Sequence, residues 1–449
     1  MVKRSSFRRP RRFGYRSALA LFLGALSATG GLVATPPATA APPLFAEIGN
    51  PSGFHLTTDD TSPGNIWGKN QGLIKSIEES GSVTNASPLT VAESAQHKGQ
   101  SGLCLGATEH KLNPRYVPDG FCWDDKDGRS SNWDTVVGGW VPQGLTASHD
   151  AVPGGTVEGR HLYAASWYYG KNKSQNEFAR VSFVKNDGVN NVTTYGHVLL
   201  VEPTDGSFRA VKNTHADGMV WYGNRLFVAN GGELQVYDMR HLWRMKTTGS
   251  EAVGVHDGVS SARWHQWAMP MIGRYWTGAQ GADPRACSKG ETDLCLGSLS
   301  LDRSGDDSLV SGEYVQRGAG GRVVRWPLNA AVALPRAQDG SGIGTAFASA
   351  AYATPVWAMQ GVATDGQYYY MAGQCPPRWN PPDVPADSGE AFSCIHRARP
   401  GENSEVFTMA PRMTQNLSYA PNSGRLWGLN EKINSARNQR LVFSIDVKP

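Results

Sequence analysis

The stretch His215-Ala216-Asp217-Gly218-Met219-Val220-Trp221-Tyr222-Gly223-Asn224-Arg225-Leu226-Phe227-Val228-Ala229 reads as a polar start, a small residue, an apolar run, a turn and a second apolar run. A Gly-Asn turn between two runs rich in β-formers is a hairpin signal. The same order returns elsewhere. Gln143-Gly144-Leu145-Thr146 leads into Leu162–Tyr168, and Gln360-Gly361-Val362-Ala363 leads through Asp365-Gly366 into Tyr368–Met371. Gln415-Asn416-Leu417-Ser418 leads through Asn422-Ser423-Gly424 into Leu426–Leu429. Trp267-Ala268-Met269-Pro270, followed by Gly273-Arg274-Tyr275-Trp276, fills the slot of a degenerate copy. Repeats of this kind, about 50 to 95 residues apart, suit the innermost strand of a propeller blade turning outward into the second, with long insertions between blades. The small residue fits because innermost strands crowd a narrow axis.

Working outward, Gly, Pro, Asn and Asp punctuate the chain every ten residues or so. Between them lie Arg180–Val184, His197–Val201, Leu234–Tyr237, Val323–Trp326 and Leu441–Ile445, all short and rich in Val, Tyr, Phe and Trp. Helices are expected only at Pro88–Lys98, capped by Ser87, and at Met239–Met245. The expected fold is all-β: a five-bladed β-propeller with long insertions, or a six-bladed one if Phe54–Ile74 seeds a further blade. The expected division is 1–40 as signal peptide, 41–135 as an irregular segment that packs on or closes the ring, and 136–449 as the propeller.

The leader reading rests on order. Lys3, Arg4, Arg8, Arg9, Arg11, Arg12 and Arg16 precede an apolar stretch from Ala18 to about Val33, and Ala38-Thr39-Ala40 closes it. Arg11-Arg12-Phe13 leaves twin-arginine and general export both open. The chain carries a formal +4; without those seven basic residues it stands at about −3. That argues against a nucleic-acid partner, which needs a basic stripe. No later segment has the length and apolarity of a membrane span. Secretion is the expected localisation, and six cysteines then read as disulfides, paired locally as Cys104–Cys122, Cys287–Cys295 and Cys375–Cys394.

Two resemblances bear on this reading. Trp140-Val-Pro-Gln-Gly-Leu-Thr146, the His215–Ala229 run, and Ser298-Leu-Ser-Leu-Asp-Arg303 with Gly312-Glu-Tyr314 and Arg325-Trp-Pro327 resemble a group of uncharacterised secreted actinomycete proteins of β-propeller-like type. The recurring Gln-Gly-Leu start is similar to plant-type glutaminyl cyclases, five-bladed propellers in which a glutamate of this motif carries acid–base chemistry. The matching positions here are Gln143, Asp217, Gln360 and Gln415, with no glutamate among them. The likeness therefore implies the fold and not that activity.

If the repeats are equivalent, Gln143, Asp217, Gln360 and Gln415 meet at the mouth of a central channel. Alternation puts His215 on the face of Asp217, so these two are the candidates for acid–base catalysis or metal binding. Gln143, Gln360, Gln415, His149 and Trp221 are the candidate ligand contacts. Glutamine hydrogen-bonds hydroxyls and amides well, and exposed tryptophan faces stack on sugar rings. The favoured function is binding of an extracellular carbohydrate or cell-wall polymer at the channel. A glycan hydrolase or lyase using Asp217 and His215, or a protein-interaction scaffold, are the alternatives. Asp302, Arg303, Glu313 and Arg325 are read as a structural charge network. No metal-ligand set is assigned. Asp124-Asp125-Lys126-Asp127-Gly128 lacks the EF-hand spacing but raises calcium as the one cofactor expectation.

Overall fold

A computed structural model describes residues 44–58, 66–129, 139–172, 175–188, 191–278, 283, 287, 293–316, 320–379, 392–432 and 440–448. The proposed leader and the proline-rich centre of the Cys375–Cys394 loop lie outside them. Strand dominates and helices are few, as the sequence reading requires at that level.

Most strands fall into antiparallel up-and-down runs of four. The first run is Gly139–Ala147, Leu162–Asn172, Gln175–Lys185 and Val192–Thr204. The second is Gly218–Tyr222, Arg225–Asn230, Glu233–Asp238 and Trp267–Trp276. Ser300–Asp302, Ser308–Gly312, Arg322–Asn329 and Ala350–Ala353 form the third. The fourth is Gly361–Thr364, Tyr369–Gln374, Phe392–Ala398 and Glu405–Arg412. The fifth takes Thr414–Ala420, Arg425–Asn430 and Leu441–Asp446 from the end of the chain, and its outer strand, Asp119–Cys122, from near the start.

The first strands of these runs touch in chain order, and the fifth returns to the first. Glycine makes this approach feasible. A Cβ on Gly144 would stand 2.5 Å from Ser166 Oγ and 3.0 Å from the Gly218 carbonyl carbon. One on Gly218 would land on the Leu299 amide nitrogen, and one on Gly361 on the Gln415 carbonyl oxygen. Side chains stitch the same seam: Thr146 Oγ1 accepts from Trp221 N at 3.0 Å, and Asn416 Nδ2 donates to Leu145 O at 2.8 Å. Because neighbours cover both faces, inner strands do not alternate; every residue of Gly218–Tyr222 is buried.

The 41–135 segment contributes more order than expected. His97–Ser101 pairs with Asp119–Cys122 on one side and with the outer strand of the first run on the other. It thereby joins the fifth run to the first. The described residues of Phe54–Ile74 form no further four-strand run. They hold the two-residue strand His55–Leu56 and most of the helix Ile66–Glu79, whose Trp67, Ile74 and Ile77 recur at helical spacing and sink into the core. The helix at Pro88 ends at Glu93, with Ser87 Oγ capping Thr90 N; Ala95, at φ +51°, turns the chain into the following strand. At Met239 a single 3₁₀ turn, Met239–His241, gives way to the strand Trp243–Arg244.

The degenerate copy at Trp267 is the other correction. Trp267–Trp276 is an outermost strand, antiparallel to Glu233–Asp238 through its second half and parallel to Val198–Val201 through its first. The third inner strand is Ser300–Asp302. Its approach residue is Ser298, beside Gly218, so a serine does there what Gly144, Gly218 and Gly361 do in the first, second and fourth copies. The three local cysteine pairs are formed.

Candidate functional site

Where inner strands begin, their leading groups gather. Gln143 Nε2 and Gln415 Nε2, from the first and fifth runs, donate to the same oxygen, Glu431 Oε2, at 2.8 and 2.9 Å. In the second run, His215 Nδ1 lies 2.7 Å from Asp217 Oδ1, while Asp217 Oδ2 accepts from Gly231 N at 3.2 Å. Tyr168 stacks on the His215 ring with centroids 4.2 Å apart. A cleft of about 330 Å³ opens here, lined by His215, Asp217 and Gln360 together with Tyr314, Gly297 and the Cys287–Cys295 bridge. Gln360 and Asp217 thus face one cavity, and Gln143 and Gln415 share one carboxylate.

Glu431 is the residue that sequence reading missed. It follows the strand Arg425–Asn430 and is 4 % exposed. Burial lifts its carboxyl above the usual glutamate range, against the opposing pull of the Gln143 amide, His215 and Arg440. A carboxylate that accepts two amides in a buried setting is held in place, ready to be paired or protonated. One signal could have found it. The second strands of the second and fifth runs both end in asparagine, Asn230 and Asn430, and aligning the repeats on that residue places Gly231 and Glu431 at one position beside the mouth. Tyr314 was visible in the Gly312-Glu-Tyr motif but carried no assigned role.

The structure does not bring His149 and Trp221 to this cleft. His149 follows the far end of its inner strand and is buried, with Nε2 2.8 Å from Ser418 Oγ. Burial depresses its imidazole to about 3, while burial raises the adjacent Asp150 carboxyl to about 6. Trp221 is 1 % exposed and packs in the core between runs, donating to Gly223 O at 2.9 Å. Of the expected charge network, Arg325 meets Asp302 at 2.5 Å, while Glu313 pairs with Arg322 at 2.6 Å and Arg303 with Asp307 at 2.7 Å. These are separate pairs.

A second cluster lies on the outer strands of the first run, at its junction with the N-terminal segment. Asp127 Oδ2 faces Tyr195 OH at 2.8 Å and His197 Nε2 at 3.0 Å, with His97 Nδ1 at 3.3 Å. Arg180 Nη2 holds the other oxygen, Oδ1, at 2.6 Å. Burial pushes the Asp127 carboxyl up, but His197 and Arg180 outweigh it and keep it well below the usual range. This cluster borders a cleft of about 310 Å³ lined by aromatic and basic side chains, including Trp140, Tyr169, Arg263 and the exposed Trp264. Arg440 joins the two regions: it donates to Glu431 O on one side and to Trp140 O and Asp127 O on the other.

Neither a family profile nor a curated protein matches the chain. Among solved structures it is similar to an α-L-arabinofuranosidase of Clostridium thermocellum, at 9 % identity and a TM-score of 0.31, over 68 % of this chain and 84 % of that one. A GH43 enzyme of Xanthomonas citri complexed with xylotriose gives 10 % and 0.31, over 71 % and 90 %. The β-propeller domain of Swd1 from Myceliophteria thermophila gives 10 % and 0.27, over 68 % and 84 %. Likenesses of this order carry no argument about what this chain does.

Proposed function

We propose that this chain is an exported five-bladed β-propeller that binds an extracellular carbohydrate or cell-wall polymer at the mouth of its axis. The blade count follows from equating each four-strand run with a blade. The observation that carries the function is the meeting of His215, Asp217, Gln360 and Tyr314 around one cleft, with Glu431 fixed beside it by Gln143 and Gln415. Imidazole, carboxylate, carboxamide and phenol together offer both donors and acceptors, the chemistry that a hydroxyl-rich ligand needs. Three disulfides accord with folding in an oxidising compartment, and among the described residues no helix is long and apolar enough to cross a membrane.

A second reading, a glycan hydrolase or lyase, draws on the two carboxyl groups here. Glu431 is pushed toward the protonated form by burial, whereas Asp217 is paired with His215. Two carboxyls in unlike surroundings suit an acid and a base. A glycan array run beside a reducing-sugar assay on the same polymers separates the two. For a binding module, Tyr314→Ala and Gln360→Ala lose affinity and no polymer is cleaved. For an enzyme, Asp217→Asn and Glu431→Gln abolish turnover but keep the ligand. A blank in both assays refutes both and leaves the interaction scaffold.

A further inference from the structure

We propose that His97, Asp127 and His197 form a binding site for a divalent transition ion of the zinc type. The three donor atoms come from three parts of the chain: the first residue of His97–Ser101, the short helix Asp125–Arg129 and the outer strand Val192–Thr204. They lie within 4.8 Å of one another. Two edges of that triangle, 3.0 Å from His197 Nε2 and 3.3 Å from His97 Nδ1 to Asp127 Oδ2, lie at or a few tenths of an ångström under the roughly 3.3–3.6 Å that tetrahedral ligands at about 2.0–2.2 Å subtend around one ion.

The surroundings are those of ligands that are themselves held. The other nitrogen of His197, Nδ1, is 2.8 Å from Ser182 Oγ, which fixes the ring. Arg180 occupies Oδ1 of Asp127, so Oδ2 is the oxygen turned to the imidazoles. His97 Nδ1 sits 2.7 Å from Asp124 Oδ2 as well as 3.3 Å from Asp127 Oδ2, and one N–H can serve only one of them. An ion displaces that proton, and the Asp124 oxygen then stands as a further donor beside it. Both histidines line the 310 Å³ cleft, from which water or a ligand atom completes the coordination. Imidazole donors favour zinc-type ions, whereas calcium takes oxygen, so the ion differs from the calcium that the Asp124–Gly128 run first suggests. This inference is independent of the sugar-binding reading.

The test is calorimetric titration of the untagged full chain, stripped with chelator, using zinc chloride alone and calcium chloride alone. The expected result is one zinc per chain, no calcium heat, and a melting temperature that rises with zinc concentration. His97→Ala, at a partly exposed position, weakens zinc binding at least about 10-fold, while His256→Ala, on an exposed hairpin, leaves it unchanged. If His97→Ala lowers the metal-free melting temperature, His97→Gln is titrated in its place. Absence of stoichiometric zinc binding by the wild type overturns the proposal, as does affinity indifferent to a folded His97 variant. Calcium binding that is lost with His97→Ala overturns the choice of ion.

Discussion

Replacing His149 with glutamine separates burial of a neutral imidazole from every other acid effect in this protein. His149 is fully enclosed and its folded-state value lies near 3, against about 6.5 in an unfolded chain. The folded protein therefore refuses a proton that the unfolded chain accepts. A depressed value of this kind contributes stability above pH 6.5 and loses it as pH falls through the window toward 3. The linkage cost is about 0.2 kcal/mol at pH 7 and about 1.4 kcal/mol at pH 5.5. Asp150 behaves oppositely: its carboxyl, raised to about 6 by burial, favours the fold at low pH and loses that contribution as pH rises through 6. Wild type and variant share Asp150, so comparing them cancels most of its contribution, although it lies 3.8 Å from the His149 ring. His149→Gln should cost about 1–3 kcal/mol at pH 7 for the disturbed contact with Ser418. That cost should shrink by about 1.2 kcal/mol at pH 5.5. Urea unfolding followed by tryptophan fluorescence at the two pH values measures both. A stability gap that stays constant or widens on acidification refutes the reasoning.

Further outcomes follow from the inner seam and the closures. Gly218→Ala places a methyl group on the Ser298–Leu299 backbone, which cannot rotate away, and should cost about 1–3 kcal/mol or more; Gly144→Ala, which meets a serine hydroxyl as well as backbone, should cost less in the same urea titration. Opening Cys104–Cys122 by the double serine substitution should lower stability by about 3 kcal/mol, as the loop of 18 residues implies, while leaving glycan retention on the array unchanged. Opening Cys287–Cys295, which lines the mouth, should instead weaken that retention; unchanged retention there counts against the cleft as the binding site.

The legible parts of the sequence were those where one physical demand repeats. Glycine or asparagine behind a polar residue marks an inner strand wherever backbones must nearly touch, and that pattern located Gly139–Ala147, Gly218–Tyr222, Gly361–Thr364 and Thr414–Ala420. It failed at the third strand because Ser298 is small enough to meet the same demand, and Trp267 offered a louder, false match. The mouth was legible through Gln143, Asp217, Gln360 and Gln415, but the carboxylate that two of them hold was not. A glutamate after a strand reads as a solvated turn until its neighbours are known. His149 misled because alternation was continued past the strand end, into the turn Ser148–Ala151. The His97–Asp127–His197 cluster was invisible for a plainer reason: only pairing of His97–Ser101 with the first run brings those positions together.

That the fifth run borrows Asp119–Cys122 has a temporal consequence. Leu441 must find Cys122 about 320 positions back along the chain, so the fifth run cannot be completed until Leu441–Asp446 has been made. Loop closure over such a span is slow, and an open intermediate presents the unpaired edge of Leu441–Asp446 to any other chain nearby. The cystine at Cys122 anchors the waiting strand to the segment before it, which makes oxidation ahead of closure the productive order of events. Chains held reduced should accordingly clump more during refolding than oxidised chains do.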